Sequence, residues 1–258
     1  MEQAALYEDD LYLIRTPVTT DEITANQCLM VDCRQDNPIF KVSGFTREDI
    51  LIMAESRKDW EIKHAQRFSI FTKATGELCG AFAVTRLSEF YTGFDDEQVK
   101  ELSKKPYVVN FFKHIVRLDQ LLTDYCATVF PDQSRGCLMH SFSVPAPFRG
   151  KGLASLMNKV SIARARSIGC GYVIAHMITP ETRHLAIKTG FDIAQEEAYD
   201  EELYKEIVLG DRHSAGEFTE EQRARVEEMK ARFAPKMATN TGVILDVEKY
   251  FARVEKGE

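Results

Sequence analysis

No apolar run in the chain approaches the ~18 residues that a membrane-spanning helix needs, so a helical membrane protein is not expected. The opening residues, MEQAALYEDD, are acidic and lack the apolar segment of a secretory signal. Cys28, Cys33, Cys79, Cys126, Cys137 and Cys170 are scattered, without the C-x-x-C spacing of zinc or redox sites. Cys28, Cys79, Cys126 and Cys137 sit among apolar neighbours and read as small core residues. The 6 histidines show no paired spacing, so no metal is expected. Positive charge is in deficit, with 33 Lys and Arg against 40 Asp and Glu and a formal charge of −7. A net acidic surface repels phosphate backbones, which argues against nucleic acid and mildly favours a cationic small molecule. Stretches rich in Pro, Gly or Ser are missing as well, and no repeat is found. One domain over residues 10–258, in a reducing cytoplasmic setting and as a monomer or homodimer, is the resulting expectation.

What is present is ordinary globular material: 258 residues, 44% of them apolar, enough to bury a substantial core. LYLIRTPV, from Leu11 to Val18, is a short β-type run, and TTDEITANQCLMV after it predicts a helix capped by Thr19 or Thr20. GFTREDILIMAESRKDW predicts another, with Thr46 as cap, Asp49 three residues on, and a stripe of Ile50, Met53 and Ala54. RFSIFTKATGELCGAFAV reads as two strands turning at Gly76. Val109 to Phe130 places Phe111, Phe112, Ile115, Leu118, Leu121, Leu122 and Tyr125 at helical spacing, a long amphipathic helix.

Strand and helix then alternate. CLMHSFSV, YVIAHMI and FDIAQEEAY read as strands, and the segments between them as helices ended by Gly169 and Gly190. This predicts an α/β unit with a partly parallel sheet. FTEEQRARVEEMKARFAP predicts a charged helix with a Thr219–Gln222 capping box and Pro235 at its end, and GVILDVEKYF returns to strand character. Residues 210–236 therefore read as a helical insertion before the last strand.

The segment SVPAPFRGKGLASLM, from Ser143 to Met157, joins the first of those strands to its helix. A strand ending in SVPAPF and running through RGKG into a helix presents unsatisfied backbone N–H groups at a helix N-terminus, a ready anion site. Gly150 and Gly152 permit a sharp turn, and Arg149 and Lys151 add charge. The Walker spacing G-x-x-x-x-G-K-[S/T] fails here, and the dinucleotide pattern G-x-G-x-x-G meets Ser155 where its third Gly should be. What remains is R-x-x-G-x-A, from Arg149 to Ala154.

That segment closely resembles the acetyl-coenzyme A loop of the GNAT N-acetyltransferase superfamily. The resemblance continues in register through YVIAHMI and through TRHLAIKTGF, which matches the family's helix ending in a Gly-Phe pair. It implies an α/β GNAT fold, a splayed mixed sheet of about seven strands flanked by helices. Residues 136–191 would form the cofactor core. Phe142, Ser143, Val144, Arg149, Gly150, Lys151, Gly152, Leu153 and Ala154 would hold acetyl-coenzyme A as cosubstrate. QDNPIFKVSGF, from Gln35 to Phe45, and the long helix before the cofactor strand are similar to the insect arylalkylamine N-acetyltransferases.

A primary alkylamine with a Lys-like pKa near 10.4 is protonated at neutral pH, and losing that proton costs about 4 kcal/mol. Acetyl transfer thus needs a base, a desolvated slot and an oxyanion donor. The resemblance implies Val144 or its neighbour as the backbone donor. Where the insect-type enzymes carry a proposed catalytic Glu, this chain has Asn37, which cannot accept the proton. His140 stands where the vertebrate serotonin-type pattern has a strand histidine and is the candidate base, with His176 and Asp36 as alternatives. The family's proton-returning Tyr is Ala186 here. Thr182 aligns with one of the insect-type serines, while Ile178 replaces another. Thr182 is the candidate donor, although Thr182 or Thr179 also suits a helix cap. Phe40, Phe45, Tyr91, Phe111 and Phe112 lie in regions that cover the acceptor side in related enzymes. Three readings stay open: an arylalkylamine N-acetyltransferase, a relative acting on a polyamine, amino acid or protein amine, and a weakly catalytic acetyl-coenzyme A-binding protein.

Overall fold

In the computed structural model the described residues are 5–35, 37–64, 66–90, 97–130, 132–233 and 239–257. The strands are β1 (Tyr7–Glu8), β2 (Tyr12–Arg15), β3 (Arg67–Thr72), β4 (Leu78–Arg86), β5 (Gly136–Ser143), β6 (Tyr172–Met177), β7 (Asp192–Ala198) and β8 (Thr239–Asp246). The helices are α1 (Thr20–Gln35), α2 (Pro38–Ser43), α3 (Arg47–Lys63), α4 (Leu87–Phe90), α5 (Glu97–Leu102), α6 (Pro106–Val129), α7 (Leu153–Ser167), α8 (Pro180–Thr189), α9 (Glu201–Leu209), α10 (Glu220–Phe233) and α11 (Val247–Glu255).

Helix starts follow their local chemistry. Thr19 Oγ1 accepts from the Glu22 N–H at 3.2 Å, while Glu22 Oε2 accepts from the Thr19 N–H at 3.4 Å. The same reciprocal bonding joins Thr46 with Asp49 and Thr219 with Gln222. Long α6 opens on Pro106, which needs no N–H partner in a first turn.

The strands form one sheet of 8 in the order β1-β2-β3-β4-β5-β6-β8-β7, one strand more than the expected seven. All neighbours are antiparallel except β5 and β6. The third strand of the expected alternation, β7, does not join β6 directly, because β8 inserts between them. Its GVILD half satisfies backbone groups of both neighbours, while VEKYF leaves the sheet as α11, capped by Asp246 accepting from the Lys249 N–H. A strand reading of VEKYF is thus corrected.

Two apolar layers sandwich the sheet. On one face Leu153, Met157, Val160 and Ala186 of α7 and α8, with Val247 of α11, pack on Phe82, Val84, Cys137, Met139, Val173 and Ala175. On the other, Leu122 and Cys126 of α6 meet Leu138, Tyr172, Ile174 and Ile244. The α1 helix crosses this second face, where Asn26 Nδ2 donates to Ser69 Oγ at 2.7 Å. α9, with no counterpart among the expected helices, follows β7 and is capped by Asp200. Its Leu203, Tyr204 and Ile207 bury Val226 and Met229 of α10 together with Val42 of α2. The insertion is therefore a packed clamp on α2, and its Arg212 reaches Glu206 of α9 and Glu197 of β7. Pro235, expected to end α10, lies outside the described residues.

Candidate functional site

β5 and β6 pair from Gly136 to Leu138 against Tyr172 to Ile174, and beyond those residues they part. A bulge shapes the opening. Ala83 pairs with His140 and Ala81 with Ser143, so β5 carries an extra residue opposite β4. Ser141 has φ 61°, a left-handed conformation that costs a non-glycine residue about 1 kcal/mol. Three contacts over-determine it. Arg34 Nη2 of α1 donates to Ser141 Oγ, His140 Nδ1 lies 2.9 Å from the same oxygen, and Ser143 Oγ donates to the Ser141 carbonyl at 3.0 Å. Past the bulge Phe142 packs edge-on to Phe82 on the α7 face.

The loop after β5 turns through Ala146–Phe148, and Arg149 Nε donates back to the Val144 carbonyl at 3.0 Å. Gly150 and Gly152 have φ 75° and 82°. A Cβ on either would meet nothing within 4 Å, so backbone conformation and not crowding by protein demands glycine here. Gly152 caps α7 without a side-chain bond, and Leu153 is buried as its anchor. Among the described residues, nothing accepts from the N–H groups of Gly150 through Ser155. Lys151 Nζ stands 4.9 Å over the Phe148 ring. N–H groups, a helix dipole and a cation thus converge at the mouth of the splay, a set suited to a phosphate ester.

His140, half-buried, faces the α1–α6 side with Nε2 2.9 Å from Thr85 Oγ1 and Nδ1 on Ser141. His176 stands on β6, held by Asp119 of α6 at 2.7 Å. Thr182 sits in the cap of α8: its N–H donates to Thr179 Oγ1 and its hydroxyl donates to the Thr179 carbonyl at 2.9 Å. Asn37 caps α2, its side chain accepting from the Ile39 N–H at 2.9 Å. Ala186 is buried, and its carbonyl accepts from Gly190 and Phe191. Of the aromatic residues, Phe45 and Phe111 are buried against each other with centroids 4.9 Å apart. Phe40 and Phe112 stay half-buried, and Ile178 packs on this cluster. Asp36 and Tyr91 lie outside the described residues.

Two features carry no mark in sequence patterning. Arg34 reaches Ser141 across 107 positions of sequence. Beneath α6, Glu206 of α9 accepts from Arg117 Nε at 2.6 Å and Arg212 Nη2 at 2.8 Å, with His114 Nδ1 at 2.7 Å. Arg117 also grips Glu197 of β7 through both terminal nitrogens, at 2.8 and 2.6 Å. Burial alone would raise the Glu206 carboxyl, but bonds from His114, Arg117 and Arg212 reverse this and hold it at about 2.

Among the described residues no cluster of His, Cys, Asp or Glu could hold a metal ion, and no helix is long and apolar enough to cross a membrane. No family model matches the chain, and no curated protein does either. Solved structures do. A protein of the yellow fever mosquito assigned as arylalkylamine N-acetyltransferase 7 superposes with TM-score 0.65 at 11% identity, over 96% of both chains. The Drosophila melanogaster polyamine N-acetyltransferase that forms N-acetylagmatine gives 0.57 at 12%, over 91% of this chain and 99% of that one. The C-terminal condensation domain of Ebony, solved with β-alanyl-dopamine, gives 0.63 at 9%, over 91% and 98%. The chain has the GNAT fold.

Proposed function

We propose that this chain, built on the GNAT fold, transfers an acetyl group from acetyl-coenzyme A to a primary amine of the arylalkylamine class. The observation that carries this reading is the row of N–H groups from Gly150 to Ser155 at the start of α7, beside the splay of β5 and β6. The loop fits a coenzyme diphosphate, since it offers directed donors and positive-φ glycines with open space above them. Residues 10–258 are read as one acetyltransferase domain, with 136–191 as its cofactor core.

When bound, acetyl-coenzyme A supplies the acetyl thioester as electrophile. Gly150, Lys151, Gly152, Leu153 and Ala154 would hold the diphosphate, with Arg149 fixing the loop through Val144. Phe142, Ser143 and Val144 would flank the pantetheine arm, and the N–H of Val144 or its neighbour would orient the carbonyl oxygen. His140 would take the amine proton, directly or through water, and Thr182 would return one to the thiolate after releasing the Thr179 carbonyl. The half-buried Phe40 and Phe112 suit an aromatic ring. A second reading, an acetyl-coenzyme A-binding protein of slow turnover, draws on Asn37 being committed to the α2 cap and on both His140 nitrogens having hydroxyl partners.

The test is coenzyme A thiol release at mildly alkaline pH with tyramine, dopamine, tryptamine, serotonin, spermidine and a lysine peptide. Ring-bearing amines are expected to react fastest, and His140→Gln to lower turnover and change its pH profile. Release with spermidine or peptide alone refutes the arylalkylamine assignment. Cofactor binding without release for any amine favours the second reading.

A further inference from the structure

His176 carries a nitrogen that the fold leaves unpaired. Its Nε2 lies 2.7 Å from Asp119 Oδ1, while its Nδ1 is buried with no hydrogen-bond partner among the described residues. A carboxylate accepts, so Nε2 is the donor and Nδ1 keeps its lone pair. Buried polar atoms are nearly always paired, so an orphaned imidazole nitrogen calls for a physical reason.

Strand register places this nitrogen's ring at the splay. Leu138 and Ile174 are the last Cα partners of β5 and β6, and both side chains lie on the α6 face. His140 and His176 each follow two residues on, and side chains two apart share a face of a strand. The contacts agree: His176 bonds Asp119 of α6, and His140 bonds Thr85, the partner of Leu138. The two imidazoles therefore stand on the same face, one on each strand, at the first step of the opening. On β8 and β7 the neighbours of His176 across the sheet are Gly242 and Gln195, which carry no charge. His114, Arg117, Glu197, Glu206 and Arg212 bond among themselves in the separate network under α6.

Acetylation of an ammonium group removes two protons from one nitrogen. The first leaves before the lone pair can attack, and the second leaves as the carbon–nitrogen bond forms and the carbon–sulfur bond breaks. We propose that His176, held by Asp119, is the second proton acceptor of the acetyl-transfer site, working opposite His140 across the splay. This rests on the acetyl-transfer reading. His140 takes the ammonium proton and Nδ1 of His176 takes the next, while the Asp119 carboxylate fixes the tautomer and stabilises the imidazolium. Thr182 protonates the thiolate, one imidazolium restores Thr182, and the other proton goes to solvent. Protons thus balance over a turnover. Asp119 is a positioning residue, since it acts through His176.

Two readouts test it. Turnover at saturating substrates is followed against pH with the fastest amine of the panel. On the acid side log kcat is expected to fall with a slope of about two in the native chain and about one in His176→Gln. His176→Gln keeps an amide donor for Asp119 but loses the Nδ1 acceptor, and kcat should drop about a hundredfold with little change in KM. Asp119→Asn should lose part of that rate, and thermal melts confirm that each variant is folded. Imidazole nitrogen NMR of the native chain needs no turnover. It should show His176 protonated at Nε2 and free at Nδ1, with the Nδ1 signal moving when tyramine is added to the coenzyme A-loaded protein. A proton resident on Nδ1 of the neutral ring overturns the proposal, and so does a folded His176→Gln with kcat within twofold of native. If no amine releases thiol, acetyl transfer is refuted and NMR decides: a moving Nδ1 signal upholds His176 as the partner of the amine, and an unmoved one overturns it.

Discussion

Replacing Glu206 by Gln removes the charge at the centre of the network under α6. Its folded-state carboxyl sits at about 2 against an ordinary value of 4.5. With the side chain 10% exposed, solvent screening discounts this little, and the shift corresponds to roughly 3 kcal/mol of stability. Because the folded value is depressed, that stability is present above about pH 4.5 and is lost as pH falls toward 2. Urea unfolding of the native chain and Glu206→Gln at pH 7, 4 and 3 measures the term. The native chain is expected to be more stable by about 3 kcal/mol at pH 7, with somewhat over half of the gap gone by pH 3. At neutral pH the melting temperature of the variant should fall by roughly 6–12 °C. A gap below about 1 kcal/mol at pH 7, or one that does not shrink on acidification, refutes the assignment of Glu206 as the anion of the network.

Two further outcomes follow from the site. Gly152→Ala should cost about 1 kcal/mol of stability, because φ 82° suits glycine, and should weaken acetyl-coenzyme A binding by calorimetry. Gly152→Asn, which tolerates that conformation, should lose less, and equal losses would instead implicate contact with the ligand. Thr179→Ala should cost about 1 kcal/mol as a lost cap, read by thermal melts. Thr182→Val should match it in stability, and a turnover loss in Thr182→Val alone would uphold the proton-donor role.

Much of the fold was legible where a signal is local. Thr19, Thr46 and Thr219 mark helix starts because a hydroxyl and a side chain three residues on can exchange bonds without help from the rest of the chain. Gly190 ends α8 at φ 100°, a conformation that other residues rarely adopt. α9 carries little signal of its own in the sequence, because EELYKEIVL is short and its apolar residues find their partners on α2 and α10. VEKYF carries strand-forming side chains, yet after Val247, whose N–H donates to the Gly171 carbonyl at 3.0 Å, the Asp246 cap turns the chain into α11.

The sequence by itself determined the glycine turn that leads from β5 into α7, since glycine conformation and helix-end N–H groups are properties of a few consecutive residues. It also determined the periods of the strands and helices around that loop. Tertiary structure alone decided that β8 divides β6 from β7, that Ser141 is the extra residue of a bulge, and that Arg34 and Glu206 meet partners far along the chain. Those outcomes depend on register and on desolvated charge, which no single segment encodes. A side chain's partner is chosen when the whole sheet is assembled, and the surroundings of the splay between β5 and β6 rest on that choice.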